Sequence, residues 1–250
     1  KTRLAYDEKS AKEAYAIIGP KVVVKPVDTN HGLGVTTNIN SEIDLIAAFH
    51  HAQDESGHRD VIIQEKCNGV DFRLLVVGGD LVAASYREPA YVVGDGESTI
   101  LQLIEKENTN PARGIGHKKP MSNIRVGGAE KYLSKNSKKI TLIPAIGEKV
   151  LLSDVANLSK GGSAIDVTDM VHEDIKNMAI EAAKIAGLGV CGVDIMCTDI
   201  SANPKLSNPM IIELNECPGI RMHHFPSVGK SRNIASVILD QIIEEGPICE

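Results

Sequence analysis

Two apolar, strand-like runs in the last third of the chain each carry an acid where a core strand should carry none. Val190-Cys191-Gly192-Val193-Asp194-Ile195-Met196 is interrupted by Asp194, and Pro209-Met210-Ile211-Ile212-Glu213-Leu214-Asn215 closes on Glu213 and Asn215. Carboxylates are rarely buried without a cationic partner or a metal. Side chains alternate along a strand, so Glu213 and Asn215 project from one face. Three oxygen-bearing side chains on neighbouring strands suit a hard cation such as Mg²⁺ bridging phosphates. The plainer reading has Asp194 capping a helix or pairing with a buried arginine, and Glu213 at a sheet edge. For one carboxylate that reading would prevail; two acid-bearing strands weigh against it.

The 250 residues can bury a sizeable core, as one large domain or two intimate lobes. An aromatic content of 3% without Trp leaves few rings for stacking bases, and the net charge of −6 opposes phosphate-backbone binding. No nucleic-acid partner is therefore expected. No apolar run approaches the roughly 20 residues that span a bilayer, and no signal peptide is visible, so no membrane association is expected. The chain opens on Lys1 rather than Met, which leaves an upstream segment open. Five cysteines without a C-x-x-C pair read as reduced thiols of a cytoplasmic protein.

Local patterns place two α+β lobes. In residues 1–66, helical periodicity over Asp7–Ile18 stops at Gly19-Pro20, and Lys21–Pro26 reads as a strand. Val35–Ile39 reads as a second strand, Glu42–Gln53 as a helix capped by Ser41, and Asp60–Glu65 as a third strand. In residues 67–250, Phe72–Val77 and Leu81–Tyr86 flank a hairpin turn at Gly78-Gly79-Asp80. A polar, glycine-punctuated insertion of about 88–146 follows, with one clear helix over Thr99–Glu107 and the expected role of a lid. Asn157–Ser163 reads as an irregular glycine loop, and helices are expected over Glu173–Ala186 and Asn233–Ile243.

Two further patterns bear on phosphate and nucleotide. Lys25 ends a strand and His31-Gly32-Leu33-Gly34 follows, so glycine amides could approach a phosphate beside a point charge. Such a loop is more often only a turn, and its strand-to-strand setting fits neither a P-loop nor a Rossmann unit. Gln64-Glu65-Lys66-Cys67 ends a strand at the interlobe link, where backbone groups could bind adenine and Asp71 could accept from ribose. A charged linker is the plain alternative.

The ordered series K-P, G-x-G, Q-E-K, G-x-D-x-R, G-V-D and E-L-N-x-x-P-G resembles the ATP-grasp superfamily. More narrowly, Pro26–Val35, Val93–Gly96, Asn110–His117, Ala156–Gly162 and Asn215–His223 resemble the ATP-grasp segment of cyanophycin synthetases. Bifunctional glutathione synthetases are similar through Arg113–His117, Cys191–Asp194 and Gly229-Lys230. The resemblance implies an ATP-grasp fold, two α+β lobes gripping ATP, with 1–66 covering the nucleotide and 67–250 carrying metal and acceptor. It implies a carboxylate–amine ligase using ATP and Mg²⁺ through an acyl phosphate.

Residue by residue, the resemblance gives Lys25 to phosphates and His31, Gly32 and Gly34 to the covering loop. Gln64, Glu65 and Cys67 go to adenine and Asp71 to ribose. Asp194, Glu213 and Asn215 go to magnesium, and Arg73 and Arg221 to the reacting groups. Asn157, Ser159, Gly161 and Gly162, with His223, go to the acceptor. The implied substrates are a small amino acid or peptide: aspartate and a poly-aspartate end, or glycine and γ-glutamylcysteine. A nucleotide-binding regulatory module without ligase activity is the alternative from another class. The missing first nucleotide-contacting lobe and Mur-ligase-like part imply further domains of a parent chain, and self-association stays open.

Adjacent His50-His51 and His223-His224 point in different directions and do not suit one zinc site. His50 and His51 are expected on a solvated helix face, His224 in a structural role, and Cys217 in packing rather than nucleophilic chemistry.

Overall fold

The computed structural model describes residues 1–29, 33–37, 39–116 and 118–245. They divide into two compact units, Lys1–Cys67 and Asn68–Glu250.

In the first unit β1 (Thr2–Ala5), α1 (Glu8–Ile18), β2 (Val22–Pro26), α2 (Glu42–Asp54) and β3 (Val61–Glu65) follow in order. The helices begin where a side chain accepts from amides that the first turn leaves unpaired. Asp7 and Ser10 cap α1 reciprocally, and Ser41 Oγ accepts from the Asp44 amide at 3.1 Å to open α2. The strands pair antiparallel in the order β1-β3-β2. Phe49, Leu45 and Ile63 form the centre of this unit's core. The strand expected over Val35–Ile39 is reduced, among the described residues, to one antiparallel bridge between Thr36 and Val24. Extending that register would pair Gly34 with Pro26, which has no amide hydrogen to donate.

In the second unit β4 (Val70–Val77) and β5 (Asp80–Glu88) form the expected hairpin. Gly78 and Gly79 turn it with φ of 58° and 86°, the positive values a tight hairpin turn requires. The insertion holds β6 (Tyr91–Val93), α3 (Ile100–Asn108), β7 (Arg113–Gly114), β8 (Met121–Ser122), α4 (Val126–Lys135) and β9 (Lys149–Leu151). Next come β10 (Ser163–Asp166), α5 (Glu173–Ile185), β11 (Val190–Cys197), α6 (Pro204–Ser207), β12 (Met210–Asn215), α7 (Arg221–His224) and α8 (Ile234–Glu245).

The insertion is a small packed body rather than a loop. Thr99 and Gln102 cap α3 reciprocally, and Val92, Ile100, Ile104, Leu133 and Val150 share one core. That core continues through β9 to Leu152, beyond the expected end near residue 146. Helix α4 lacks a local sequence signal, because Arg125 makes no side-chain cap and Gly127-Gly128 lie in its first turn. Burial of Ala129 and Leu133 stabilises it instead. The Asn157–Ser163 stretch is likewise more ordered than its glycines suggested, with a 3₁₀ turn over Leu158–Lys160 running into β10.

The main sheet has the order β10-β5-β4-β11-β12, antiparallel throughout. On one face Phe72, Leu74, Val193 and Ile195 pack against Ile175 and Ala179 of α5. On the other, Leu75, Val77 and Ala83 meet Ile234 of α8 at the hairpin end only. The remainder of that face is polar. Among the described residues no helix is long and apolar enough to cross a membrane.

Phe49 is 1% exposed at the middle of the first unit's core. Phe49→Ala should cost about 3–5 kcal/mol in urea unfolding, the scale of a deleted core ring. A loss below about 1 kcal/mol would mean that the core closes without it.

Candidate active site

One row of polar residues crosses the main sheet from edge to edge. Ladder partners are Asp166 with Ser85, Ser85 with Arg73, Arg73 with Asp194, and Asp194 with Glu213. Directly opposed residues project to the same face, so these five side chains stand side by side. Arg87 and Asp71 begin the flanking row, and Asn215 stands opposite Gly192 on the other side.

Two β-bulges create this alignment. Between Leu75 and Val76 the β4–β5 register shifts by one, which brings Ser85 rather than apolar-facing Ala84 opposite Arg73. Between Asp194 and Ile195 the β11–β12 register shifts again, which keeps Glu213 opposite Asp194.

At the middle Arg73 and Asp194 are 8% and 7% exposed. Arg73 donates to Asp194 through Nε and Nη2. Arg87 donates through Nη2 to Asp194 at 2.8 Å and through Nε to Asp71 at 2.8 Å. Two guanidiniums thus neutralise two carboxylates within the sheet face, the condition under which buried charge is tolerated. Burial works against the Arg87 charge, but Asp71 and Asp194 outweigh it and hold its pKa above the ordinary value. Gly192 makes room for Arg73: a Cβ there would stand 2.7 Å from Pro218 Cβ and 3.1 Å from Arg73 Cδ.

The expected metal donors share this face. Glu213 is exposed on the edge strand β12, and Asn215 Nδ2 donates to the Gly192 carbonyl at 3.2 Å, leaving the amide oxygen as its other end. Two carboxylates and one amide oxygen fit Mg²⁺, which needs few protein donors because phosphate and water complete its shell. Both halves of the plainer reading are also present, since Asp194 pairs with buried arginines and Glu213 lies at an edge. A cation here would share Asp194 with Arg73 and Arg87. Among the described residues, no three His, Cys, Asp or Glu side chains cluster as a metal cage.

His223 lies on α7, 2% exposed, with Nδ1 3.0 Å from Ser85 Oγ. Its buried Nε2 has no hydrogen-bond partner among the described residues. Burial, with the Arg73 charge adding to it, pushes its pKa down to about 4. His224 is structural: its Nε2 accepts from the Ala235 amide at 3.0 Å. Arg221 Nη1 donates to the Lys119 carbonyl at 3.1 Å.

In the loop expected at the acceptor, Asn157 Oδ1 accepts from the Ser159 amide at 3.0 Å and from its hydroxyl at 2.9 Å, while Gly161 and Gly162 are buried. A cavity of about 460 Å³ borders it, lined by Glu88, Tyr91, Arg113, Gly161 and Ser163 among others.

Lys25, Gln64, Glu65 and Cys67 lie in the first unit, half-buried on or just beyond β2 and β3, and Gly34 lies in a turn with φ of 73°. His31 and Gly32 lie outside the described residues. Asp71, expected at ribose, accepts from Arg87 Nε at 2.8 Å. Cys217 is exposed rather than packed, because it lies in a bend just past the end of β12. His50, as expected, is half exposed, and it reaches Glu8 at 3.0 Å. Sequence reasoning missed Arg87 and Ser85, because alternation counted through the glycine hairpin points to Tyr86 and Ala84 and only the bulge replaces them.

Residues 154–242 match the model of the RimK-like ATP-grasp domain family. The chain is 41% identical to cyanophycin synthetase from Synechocystis over 229 residues, 91% of this chain and 26% of that protein. It is 38% identical to a bifunctional glutathione biosynthesis protein from Clostridium perfringens, over 88% of this chain and 28% of that one. A crystal structure of a bifunctional glutathione synthetase from Pasteurella multocida superposes with a TM-score of 0.70 at 32% identity, over 98% of this chain and 34% of that chain.

The chain is an ATP-grasp domain.

It spans about a quarter of the length of the curated relatives it matches. The RimK-like match takes in β10 to α8, and so includes Asp194, Glu213 and Asn215 but not Arg73 or Arg87. Within this ATP-grasp domain the charged row is therefore assembled from two separate stretches of sequence.

The buried histidine gives a pH test. Unfolded, His223 takes its proton near 6.5; folded, it waits until about 4. The unfolded state binds more protons in between, so stability is lost as pH falls through that window. The native protein should lose on the order of 3 kcal/mol between those pH values that His223→Asn does not lose. Parallel urea-stability profiles for the two proteins would remove His223 as the titrating group.

Proposed function

We propose that this ATP-grasp domain is the ATP-using part of an ADP-forming ligase that joins a carboxylate to an amine. The observation that carries the reading is the charged row, with hard-cation donors at its open edge and two guanidiniums beside them. It is supported by 41% identity to a segment of a cyanophycin synthetase.

In this reading Lys25 and the His31–Gly34 segment of the first unit serve the phosphates, and Gln64, Glu65 and Cys67 serve adenine. Asp71 serves the ribose or, through Arg87, the phosphate side. Asp194, Glu213 and Asn215 hold Mg²⁺, which when bound neutralises phosphate charge and aligns the oxygens for in-line displacement. A substrate carboxylate oxygen attacks the γ-phosphorus, the bond to the β-phosphate oxygen breaks, and ADP leaves. The amine nitrogen then adds to the acyl carbon, loses a proton and expels inorganic phosphate as the amide forms. Arg73 and Arg221 oppose charge on the transferring group, a task that suits a planar donor fork. The Asn157–Gly162 loop and His223 shape the acceptor side. An uncharged His223 at neutral pH supplies a fixed dipole without adding charge to the face.

The first substrate class is an amino acid added to a peptide end, as the name cyanophycin synthetase suggests. The TM-score of 0.70 with a bifunctional glutathione synthetase favours a second, the amine being added to a short γ-linked peptide. Under either, the partner is an amino-acid or peptide substrate rather than a nucleic acid, and other parts of a longer chain supply what this domain does not.

ADP release measured over a panel of amino acids and dipeptides, on the full-length protein, tests the reading. Release that depends on one amine and one carboxylate is expected. Glu213→Gln keeps the shape of the ligand but not its charge, and should lower that release about a hundredfold or more while the thermal midpoint barely moves. ATP binding with no amine-dependent turnover would instead identify a regulatory nucleotide module.

A further inference from the structure

Arg113 belongs to none of the groups assigned above, yet it is among the most enclosed charges in the protein. It opens β7 in the insertion with its side chain 6% exposed. Nε donates to Glu107 Oε1 on α3 at 2.9 Å. Nη1 donates to two main-chain carbonyls, Ser122 of β8 at 2.9 Å and Gly161 at 3.0 Å. Gly161 is the residue at which the 3₁₀ turn of the acceptor loop ends, in the left-handed conformation with φ of 92°. Carbonyls at such ends lack partners within the turn, and a cationic donor satisfies them well.

The same loop is held from two more sides. A Cβ at Gly161 would stand 2.8 Å from Ile124 Cα, and one at Gly162 would stand 2.6 Å from the Glu88 carbonyl oxygen. Ile124 is itself gripped at both ends of its backbone. Its amide donates to Asn108 Oδ1 at 2.8 Å, and its carbonyl accepts from Asn108 Nδ2 at 2.9 Å. Gly161 is therefore seated against the insertion, and Gly162 against the end of β5, with no spare room. Asn157 and Ser159, by contrast, bond to each other.

We infer that Arg113 is a positioning residue for the acceptor. Through the Gly161 carbonyl it fixes, from the insertion's side, where the Asn157–Gly162 loop sits, without itself meeting the substrate. This rests on the reading of that loop as the acceptor loop. The guanidinium is required by its shape. One planar group spans a carboxylate and two carbonyls, whereas a lysine ammonium on a flexible stem keeps the Glu107 pair or a carbonyl but not the whole set. The insertion is then the rigid bed of the acceptor loop, and a shift in it changes amine recognition without touching the nucleotide.

The test compares Arg113→Lys with the unsubstituted full-length protein, using amide hydrogen exchange over residues 158–162 and steady-state ADP release. The expected result is faster exchange in that loop without ligands, an amine KM raised about tenfold, and an ATP KM within about twofold. Glu107→Gln serves as the control for a purely structural role. It removes the ion pair but leaves both carbonyl bonds, so it should lower the thermal midpoint without moving the amine KM. Asn108→Ala frees Ile124 and loosens the same loop by another route, so it should change exchange and amine KM as Arg113→Lys does, and it stands in if that variant does not fold. Unchanged loop exchange in Arg113→Lys overturns the clamp whatever happens to turnover. Faster exchange with an unchanged amine KM overturns the positioning role, and places the fault in the acceptor reading of the loop rather than in the clamp.

Discussion

The ion pair between Arg73 and Asp194 sets the terms for the second unit. It joins β4 to β11, two interior strands of the sheet, and both partners are nearly shut off from water. Removing either would strand the other charge in a nearly dry sheet face, a loss usually larger than the pair's own net contribution. Its surroundings follow from that demand. Gly192 leaves space for the arginine stem, Arg87 supplies a second guanidinium for Asp194, and Asp71 balances Arg87. Two bulges bring Ser85 and Glu213 into the same row. The opposite face of the same strands is conventional, with alternating apolar residues on α5. One sheet thus serves two purposes because strand side chains alternate, and each residue on the charged face costs the core nothing on the other.

A consequence concerns charge at the moment a nucleotide and cation bind. The centre of the row is already neutral, two guanidiniums against two carboxylates, so bare Mg²⁺ would meet Asp194 through two positive groups. A polyphosphate brings the charge that can draw Arg73 or Arg87 away from Asp194 and make its oxygens available. Glu213 and Asn215 make no such compromise: they lie on the edge strand, one exposed and the other with its amide nitrogen tied to Gly192. In the proposed function, Glu213 and Asn215 would hold the cation at the edge beside the phosphates, and Arg73 and Arg87 would turn from Asp194 toward that charge.

Much of this was legible in the sequence, where the cause was local. Asp7 with Ser10, Ser41 and Thr99 with Gln102 mark helix starts by a rule that needs only four residues. Gly78-Gly79 marks its hairpin for the same reason. The acids of β11 and β12 stood out because their neighbours were apolar. Legibility failed where the cause was distant. Helix α4 begins with two glycines and no cap, and only the insertion's core explains it. The run at 35–39 has strand composition, but Pro26 lies opposite its register. Arg87 follows the run Leu81–Tyr86 as one more charge, and only the Leu75/Val76 bulge places it opposite Asp71.

That last case shows why a correct list of elements does not yet give a site. Counting outward from the hairpin turn without a bulge pairs Arg73 with Ala84 and Asp71 with Tyr86, residues that belong to the apolar face. A single inserted residue on β5 reverses the parity of everything beyond it, exchanging alanine and tyrosine for Ser85 and Arg87. The bulge has no signature of its own in the composition. What demands it is the energetic penalty of the alternative, in which Arg73 and Asp71 would face a wall of apolar side chains, while Ser85 and Arg87 would be turned into the α5 core. The site is therefore written in the conflict between two registers, and the charges on β4 decide which register the hairpin adopts.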